Sequence, residues 1–514
     1  MTILLGLAML VASPIAADTT TVAQDIAMGR TTSVAAVKRY LKRIDAIDRK
    51  GPKLNAVIAV MPDALKQAKR LDKERREIGP RGPLHGVPIL IKDNIEVAGP
   101  LPTTAGSLAL ADNVTNRDAP LVARLRAAGA VILGKTNLSE WANIRSNKST
   151  SGWSAVGGLT RNPHVLDRNA CGSSSGSGAA MAAELAAATV GTETDGSITC
   201  PAGVNGVVGF KPSVGLVSRT NVVPISASQD TAGPMTASVR DAALMLTAMA
   251  GSDPADPVTA DADRHKQDYT AALSPDGLKG LRVGVLRDRI GSDRAILALF
   301  EAALSAMKQQ GAVIIDIKDS RKGLEALGEA EFTVLLYELK AGTAAYLGGR
   351  PAPGSLRTLA DVIAFNKTNA ATELRWFGQE IFEQAEKKGG LNSAEYRKAL
   401  ITSRRLAREA GIDRLLREHR VELLIGITNG PAWTSDLVNG DNFGGPSVSQ
   451  LSAVAGYPHL TVPMGAVHGL PIGLSIIGRQ WHDARVLAAG HAYEQASRLR
   501  VRPAYLQTIT DGRR

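Results

Sequence analysis

The chain contains 514 residues, of which 44% are hydrophobic and 21% are charged, a composition that is typical of a globular protein and excludes a disordered chain. A chain of this length can bury a large core, and its two cysteines exclude a disulfide-rich scaffold. The formal net charge is +11, but basic residues alternate with acidic or aliphatic residues and only 4% are aromatic, so we expect no nucleic-acid partner.

The first predicted element is an apolar segment at the N-terminus. Residues 3–17 are almost wholly apolar and end in small residues before Asp18, a pattern that is typical of a signal peptide. The segment is shorter than the roughly 20 residues that span a bilayer, and no later stretch is long and apolar enough to do so. Since no Lys or Arg lies close to Met1, a short buried segment is the alternative. We predict a signal peptide at residues 1–17 and a periplasmic or secreted mature protein.

A helix and two short strands are predicted in the first third of the chain. Residues 32–48 place apolar side chains on one helical face. The apolar residues 89–91 predict a buried strand that leads directly into Lys92, and residues 130–133 predict a second one. A lysine directly behind an apolar strand is unusual for a solvated surface, so Lys92 is a candidate functional residue.

Strands and helices alternate through the rest of the chain. Residues 153–212 are rich in Gly, Ser, Thr and Ala, and helical periodicity dominates from 287 to about 420. Further strands are predicted at 281–286, 421–427, 459–464 and 472–477, and a final helix at 483–498. The alternation predicts one α/β domain over residues 18–514, whose C-terminal strands complete the main sheet.

Three short patterns resemble known catalytic motifs but lack the context that these motifs need. Residues 172–176 match G-x-S-x-G, with His459 or His491 as a candidate base, but no apolar strand precedes the serine. The S-x-x-K match at residues 305–308 lies within a run of plain helical periodicity, which explains it. The spacing of His and Cys fits no metal site, so we expect none.

Three other segments occur in the order that one known catalytic pattern requires. Residues 86–94 deliver Lys92 from the end of a strand, residues 171–180 form a Ser/Gly loop that opens an Ala-rich helix, and residues 191–198 form a second tight loop. In this order they resemble the amidase signature family, whose members hydrolyse amides with a Ser–Ser–Lys triad. The resemblance runs from about residue 25 to 500.

The resemblance implies a fold and a set of catalytic roles. The implied fold is a single large domain with a central mixed β-sheet surrounded by α-helices, with a signature core at about 81–250 and a helical insertion at about 287–420. Lys92 becomes the base, Ser173 the bridging serine, which has a cis peptide bond in the family, and Ser197 the nucleophile. No metal or organic cofactor is implied. The expected oxyanion hole consists of the backbone N–H groups of Thr194, Asp195, Gly196 and Ser197.

Several stretches match one branch of the family more narrowly. Residues 134–143, 151–155 and 192–197 resemble the bacterial peptide amidases, which remove the C-terminal amide of peptides as ammonia. The wider family usually has glycine at three positions where this chain and that branch differ, namely Cys171, Ser175 and Asp195. The expected reaction is therefore deamidation of a peptide C-terminus through an acyl-enzyme.

The sequence alone leaves more than one interpretation of the substrate-binding residues and of the exact activity. Trp141 and Trp153 could line the cleft or pack in the core, and Asp195 could shape or charge the amide-binding pocket. Small aryl, aliphatic or fatty acyl amides are alternative substrates for the same triad. An export signal disfavours a tRNA-linked amidotransferase component, and the intact triad disfavours a catalytically silent binding protein. No obligate partner subunit is expected.

The chemistry explains why these residue types are needed. A serine must lose its proton as it attacks an amide, and a lysine can accept that proton only when it is neutral. The ordinary pKa of lysine is about 10.4, and burial lowers it because the ammonium loses its hydration. A position behind an apolar strand suits Lys92 to this role, and Ser173 can pass a proton in either direction.

The two cysteines flank the candidate serines. Cys171 lies two residues before Ser173, and Cys200 lies three residues after Ser197. A disulfide is one interpretation, which an oxidising compartment permits. Because free cysteines are often buried as small apolar side chains, we expect that state for both.

Overall fold

A central β-sheet organises the part of the chain that the computed structural model describes, residues 19–351 and 354–509. The predicted signal peptide at residues 1–17 lies outside these residues. Eleven of the described strands form the sheet, in the order β1-β3-β2-β6-β8-β7-β12-β13-β11-β9-β10, and β4 and β5 form a small hairpin. The strands are β1 Val57–Val60, β2 Pro88–Lys92, β3 Val131–Thr136, β4 Trp153–Ser154, β5 Gly158–Leu159, β6 Ala188–Glu193, β7 Val208–Lys211, β8 Thr231–Thr236, β9 Arg282–Leu286, β10 Val313–Ile317, β11 Leu423–Ile427, β12 His459–Val467 and β13 Leu470–Ile477.

Helices cover both faces of the sheet, and none of those described is long and apolar enough to cross a membrane. The first amphipathic helix begins after Thr32, whose side chain accepts a hydrogen bond from the N–H of Ala35 as an N-cap. The helices are α1 Thr19–Ala27, α2 Ser33–Arg43, α3 Ala64–Glu77, α4 Pro120–Ala127, α5 Ser175–Ala182, α6 Thr199–Val204, α7 Val239–Met249, α8 Ala262–His265, α9 Arg294–Gln309, α10 Leu327–Gly348, α11 Leu359–Thr368, α12 Ala370–Glu373, α13 Glu380–Glu386, α14 Ala394–Ala407, α15 Asp413–Glu418, α16 Ser449–Ala455 and α17 Asp483–Ser497.

The sheet is mixed, and its parallel part positions Lys92. Strand β2 lies between β3 and β6 and is parallel to both, so the carboxyl ends of all three strands meet at one edge of the sheet. Every residue of β2 is buried, because helices cover both faces of the sheet at this point. A side chain that follows the apolar residues of β2 therefore enters the interior rather than solvent.

The α/β fold is confirmed, as are the strands predicted in the first third of the chain and near the C-terminus. The C-terminal strands β11 to β13 join the same sheet as β2, which confirms that they complete it. The segment over residues 287–420, where helical periodicity dominates, also contains one described strand, β10, which is parallel to β9 at the edge of the sheet. Since β10 lies at an edge, its sequence VIIDI is partly exposed and lacks the continuous burial of an inner strand.

The helical segment forms a second layer beside the loops at the sheet edge. Helices α10, α11 and α13 bury a cluster of apolar side chains that includes Leu339, Val362 and Phe382. Trp141, from the loop after β3, packs in the same cluster. These helices therefore pack against the loop after β3, next to the candidate site.

Candidate active site

Lys92 is fully buried at the end of β2, and its amine contacts a serine and a threonine. The Nζ atom lies 2.7 Å from Ser173 Oγ and 2.8 Å from Thr192 Oγ1, and it also donates to the carbonyl oxygen of Thr192 at 3.3 Å. Burial lowers the pKa of Lys92 to about 7, while the carboxylates of Asp230 and Glu193 oppose this change. A large fraction of Lys92 is therefore neutral near neutral pH, as a proton acceptor must be.

Thr192 and Asn94 complete the surroundings of the amine, and neither could be given a role from sequence. Thr192 Oγ1 also accepts a hydrogen bond from Asn94 Nδ2 at 2.9 Å. Both residues belong to the segments that carry Lys92 and Ser197, so the motifs contained them without revealing their function. Together they hold the lysine amine against Ser173.

The Ser/Gly loop presents Ser173 immediately before α5. The peptide bond between Gly172 and Ser173 is cis, as the family resemblance implies. The backbone N–H of Ser139 donates to the carbonyl oxygen of Ser173 at 3.0 Å, and the N–H of Ser174 donates to the carbonyl oxygen of Ser197 at 3.1 Å. The second of these hydrogen bonds joins the loop of Ser173 directly to the loop of Ser197.

The loop after β6 curves back on itself around Glu193. One carboxylate oxygen of Glu193 accepts from the N–H groups of Ile198 at 2.8 Å and Thr199 at 3.0 Å. Gly196 has a φ of +77°, which favours glycine, and it allows the tight turn between these anchors. Ser197 is 8% exposed, so it lies at the boundary between the interior and the adjoining pocket.

A pocket of about 270 Å³ lies over these loops. Gly172 and the four predicted oxyanion residues, Thr194, Asp195, Gly196 and Ser197, all line it. The structure thus brings Ser197 and its neighbours to one cavity, while Lys92 and Ser173 lie buried beneath it. This volume suits the end of a small amide substrate.

The expectation of two free cysteines is wrong. Cys171 and Cys200 form a disulfide, and both line the pocket. The two residues are 29 apart in sequence, but the loop of Ser173 and the first turn of α6 meet at the sheet edge, where their Cα atoms are 6.0 Å apart. The bridge ties the loop that carries Ser173 to the helix that follows Ser197.

Removing this bridge should lower the stability of the fold. A Cys171→Ser, Cys200→Ser double variant should lose about 2–4 kcal/mol of unfolding free energy, because the unfolded chain is no longer cross-linked. Thermal melts with and without reductant provide the measurement. Reductant should lower the Tm of the parent protein and leave that of the double variant unchanged, whereas equal Tm values in all samples would contradict the prediction.

The structure places Trp141 and Trp153 in the core, which is one of the two alternatives that the sequence left open. Trp141 is 3% exposed and makes an edge-to-face contact with Phe382, with ring centroids 5.6 Å apart. Trp153 makes a similar contact with Phe377 at 5.1 Å. Neither is among the residues that line the pocket, and Trp141 belongs instead to the apolar cluster of helices α10, α11 and α13.

Aromatic side chains from a distant part of the chain take that place. Trp433 and Phe443 line the pocket, with ring centroids 4.5 Å apart, and Asn143 lies on another wall. The segment after β11 that carries the two aromatic residues has no motif, so the sequence offered no signal beyond their aromatic character. Of the three predicted substrate-binding residues, Asp195 alone lines the pocket.

Asp195 is a partly buried carboxyl beside Ser197. Burial and the neighbouring Glu331 carboxylate raise the pKa of Asp195 well above its usual range. Glu331 is held by the amide groups of Gln229 and Gln450, each at 2.9 Å. The raised pKa favours a neutral Asp195, which can donate a hydrogen bond as well as accept one.

The rejected alternatives gain no support from the geometry. His459 is fully buried, and its ring nitrogens contact Ser475 Oγ at 2.6 Å and Ser452 Oγ at 3.0 Å rather than either candidate serine. Residues 305–308 lie within α9, as the helical periodicity predicted. Over residues 19–351 and 354–509, no cluster of His, Cys, Asp and Glu could hold a metal ion.

Comparisons with known proteins show the family to which the chain belongs. The family model described as Amidase matches residues 35–487. The solved structure of the native peptide amidase from Stenotrophomonas maltophilia is 50% identical, with a TM-score of 0.90 over 95% of this chain and 98% of that one. The "Probable amidase" of Arabidopsis thaliana is 39% identical over 93% of this chain and 89% of its own length. A glutamyl-tRNA(Gln) amidotransferase component from Thermoanaerobacter pseudethanolicus is 33% identical over 92% of this chain and 94% of its own length.

These likenesses cover nearly the whole chain, and the family match includes both serine loops and the strand that carries Lys92. The single mixed-sheet fold and the hydrolysis of carbon–nitrogen bonds, both predicted from sequence, are confirmed. The chain therefore belongs to the amidase signature family and is an amide hydrolase.

Proposed function

We propose that this chain is a peptide amidase, which converts the C-terminal amide of a peptide to the free acid and ammonia. One contact supports the chemistry above all others, namely the 2.7 Å contact between the buried Lys92 amine and Ser173 Oγ. The 50% identity to a peptide amidase over 95% of the chain supports the substrate class. Catalysis by this chain alone, without a partner subunit, is part of the proposal.

In the proposed first step, Ser197 Oγ attacks the amide carbonyl and forms the new C–O bond. Its proton passes to Ser173 Oγ, which gives its own proton to the neutral Lys92 amine. Because Thr192 and Asn94 hold the amine in place, the acceptor is positioned before the substrate arrives. The oxyanion is stabilised by backbone N–H groups of the turn that Glu193 anchors.

In the second step, the C–N bond breaks and the proton returns along the same path to the leaving amine. Ammonia departs and leaves the acyl group on Ser197 as an ester. A water molecule then attacks this ester and gives its proton to the same relay. The relay returns that proton to Ser197 Oγ as the C–O bond of the ester breaks, and the peptide acid is released. The cycle consumes one water molecule and restores the neutral lysine and both serines.

The pH dependence of this relay should respond to Asp230. The negative charge of Asp230 raises the pKa of Lys92, which burial alone would lower further. An Asp230→Asn variant should therefore keep Lys92 neutral to lower pH, and the acid limb of kcat/KM should move down by roughly half a pH unit. The nearly isosteric amide can still accept hydrogen bonds from the N–H groups of Ile225 and Ser226, as Asp230 does.

Rate–pH profiles of the parent protein, Asp230→Asn and the exposed-site control Asp276→Asn provide the measurement. The control should overlay the parent profile. A limb that stays in place in Asp230→Asn, or that moves to higher pH, would contradict the charge relation between Asp230 and Lys92.

The function is tested by mass spectrometry of an amidated peptide that contains internal peptide bonds and an Asn or Gln side chain. The purified chain should change only the C-terminus, by the mass difference between an amide and an acid. The exposed-site control Ser305→Ala should act like the parent protein. An untouched peptide, together with hydrolysis of aryl or fatty acyl amides by the same sample, would reject the peptide substrate and retain the amidase chemistry.

We also propose that the mature protein is exported after removal of residues 1–17. The disulfide between Cys171 and Cys200 supports an oxidising compartment, in which such bridges persist. N-terminal sequencing of protein from the periplasm or medium of the native host should begin at Asp18. Recovery of the uncut chain from the cytoplasm alone would reject export.

A further inference from the structure

A second pocket continues the candidate active site on the side of Trp433. This distal pocket has a volume of about 620 Å³. Four residues line both pockets, namely Trp433, Gly444, Gly445 and Pro446. The remaining walls of the distal pocket include the loop between β9 and α9 and residue Arg321. A chain bound with its C-terminus at Ser197 can therefore pass over residues 444–446 into the distal pocket.

An apolar ridge separates the two pockets. Phe443 is 64% exposed, which is unusual for a large aromatic side chain, and it rests against the Trp433 ring. Trp433 is held in turn, because its indole N–H donates to Asp441 Oδ1 at 3.1 Å and Asp441 accepts from Ser151 Oγ at 2.5 Å. The ridge thus offers a fixed apolar surface for the side chains of an extended peptide.

The distal pocket contains two arginines that lack a carboxylate partner. Within the part of the chain that the structure describes, no carboxylate lies within 4.0 Å of the guanidinium of Arg289 or Arg321. Arg289 is oriented by Ser320 instead, because its Nε donates to Ser320 Oγ at 2.8 Å. Burial lowers the pKa of Arg289 most, the nearby guanidinium of Arg321 lowers it further, and the carboxylate of Asp288 opposes this change.

The acidic side chains of the same pocket are engaged locally. Asp288 accepts from Ser320 Oγ at 2.7 Å and from the backbone N–H of Arg321 at 3.2 Å. Asp293 caps α9 by accepting from two backbone N–H groups of its first turn, at 2.9 and 3.0 Å. The pocket therefore offers guanidinium donors that are free of ion pairs beside carboxylates that already accept hydrogen bonds.

From this arrangement we infer that the distal pocket is a subsite for an acidic side chain of the peptide, placed upstream of the C-terminal amide and bound by Arg289 and Arg321. The inference rests on the proposed peptide amidase function and adds a substrate preference to it. Guanidinium–carboxylate hydrogen bonds are strong and directional, so one position of the peptide should carry the preference.

The test uses amidated peptides of one length in which a single Glu is moved stepwise away from the C-terminus, each matched by the same peptide with Gln. At one upstream position, Glu should lower KM about five- to tenfold relative to Gln, with little change in kcat. High salt should reduce this ratio, because part of the attraction is electrostatic.

Arginine variants then show whether Arg289 and Arg321 cause the preference for Glu. Arg321→Gln and Arg289→Gln should each bring the Glu-to-Gln ratio of KM close to one, whereas Arg294→Gln, an exposed arginine on α9 outside the pocket, should preserve it. Arg321 makes no side-chain hydrogen bond to the described residues, so its replacement tests the subsite without disturbing Ser320. Equal KM values for Glu and Gln at every position, or a preference for Lys, would overturn the inference.

Two further measurements separate this subsite from the proposed function. An amidated dipeptide without an acidic side chain offers no carboxylate to the distal pocket, so its hydrolysis tests the peptide amidase activity alone. If no peptide is hydrolysed, calorimetric binding of the Glu and Gln peptides to a Ser197→Ala variant still decides the subsite. Tighter binding of the Glu peptide supports it, and equal binding rejects it.

Discussion

Replacement of Ser197 by alanine should lower kcat by roughly a millionfold, because the proposed acyl-enzyme cannot form without the Ser197 hydroxyl. Ser197 is only 8% exposed and follows a turn whose hydrogen bonds are made by Glu193 and the backbone. Loss of its hydroxyl should therefore leave the fold intact. Steady-state rates on an amidated peptide, together with thermal melts, provide the measurement.

The control for this variant is Ser305→Ala on α9, which makes the same chemical change at an exposed helix position. It should keep the parent rate and Tm. A Ser197→Ala protein that retains more than a trace of activity would contradict the assignment of the nucleophile.

Replacement of Lys92 by methionine should lower kcat by about a thousandfold or more, because the proton of Ser197 then has no acceptor behind Ser173. In the parent protein, activity should rise with pH as Lys92 loses its proton, with a midpoint close to its lowered pKa of about 7. Activity rises rather than falls with pH because the neutral amine of Lys92 is the active form. The residual activity of Lys92→Met should not show this rise with pH.

The same variant should fold normally. The ammonium of Lys92 is disfavoured in the folded state, so stability should rise with pH above about 7, where the unfolded chain still binds the proton. Methionine carries no charge, so the variant avoids the cost of burying an ammonium, and this gain offsets the lost hydrogen bonds of Lys92. The Tm of Lys92→Met at neutral pH should therefore stay near that of the parent protein. The exposed-site control Lys308→Met should keep full activity. A parent-like rate in Lys92→Met would contradict a base at this position.

The parts of the fold that could be predicted from sequence are those whose apolar pattern is continuous. Strand β2 ends in Lys92 after an uninterrupted apolar run, and the inner C-terminal strands are equally apolar. Strand β6 was not predicted, because its sequence ATVGTE is built from small and polar residues. It is a strand because β2 and β8 pair with it on either side.

The candidate site also contains residues that local sequence motifs reveal and residues that only tertiary contacts bring together. Lys92, Ser173 and Ser197 lie within local motifs, and the resemblance of these motifs to the amidase signature family implies their roles. The disulfide could not be read from the sequence, because Cys171 and Cys200 meet only when two separate loops pack at one sheet edge. Trp433 and Phe443 reach the pocket from a segment far along the chain, and a tertiary contact of this kind leaves no periodic signal.

Labelling with a fluorophosphonate, followed by peptide mapping, tests the central claim most directly. The reagent should modify Ser197 alone, and the labelling rate should rise with pH around the lowered pKa of Lys92, about 7. Lys92→Met should label far more slowly. Modification of Ser173 or another serine instead, or no labelling of the folded protein, would contradict the proposed Ser–Ser–Lys relay.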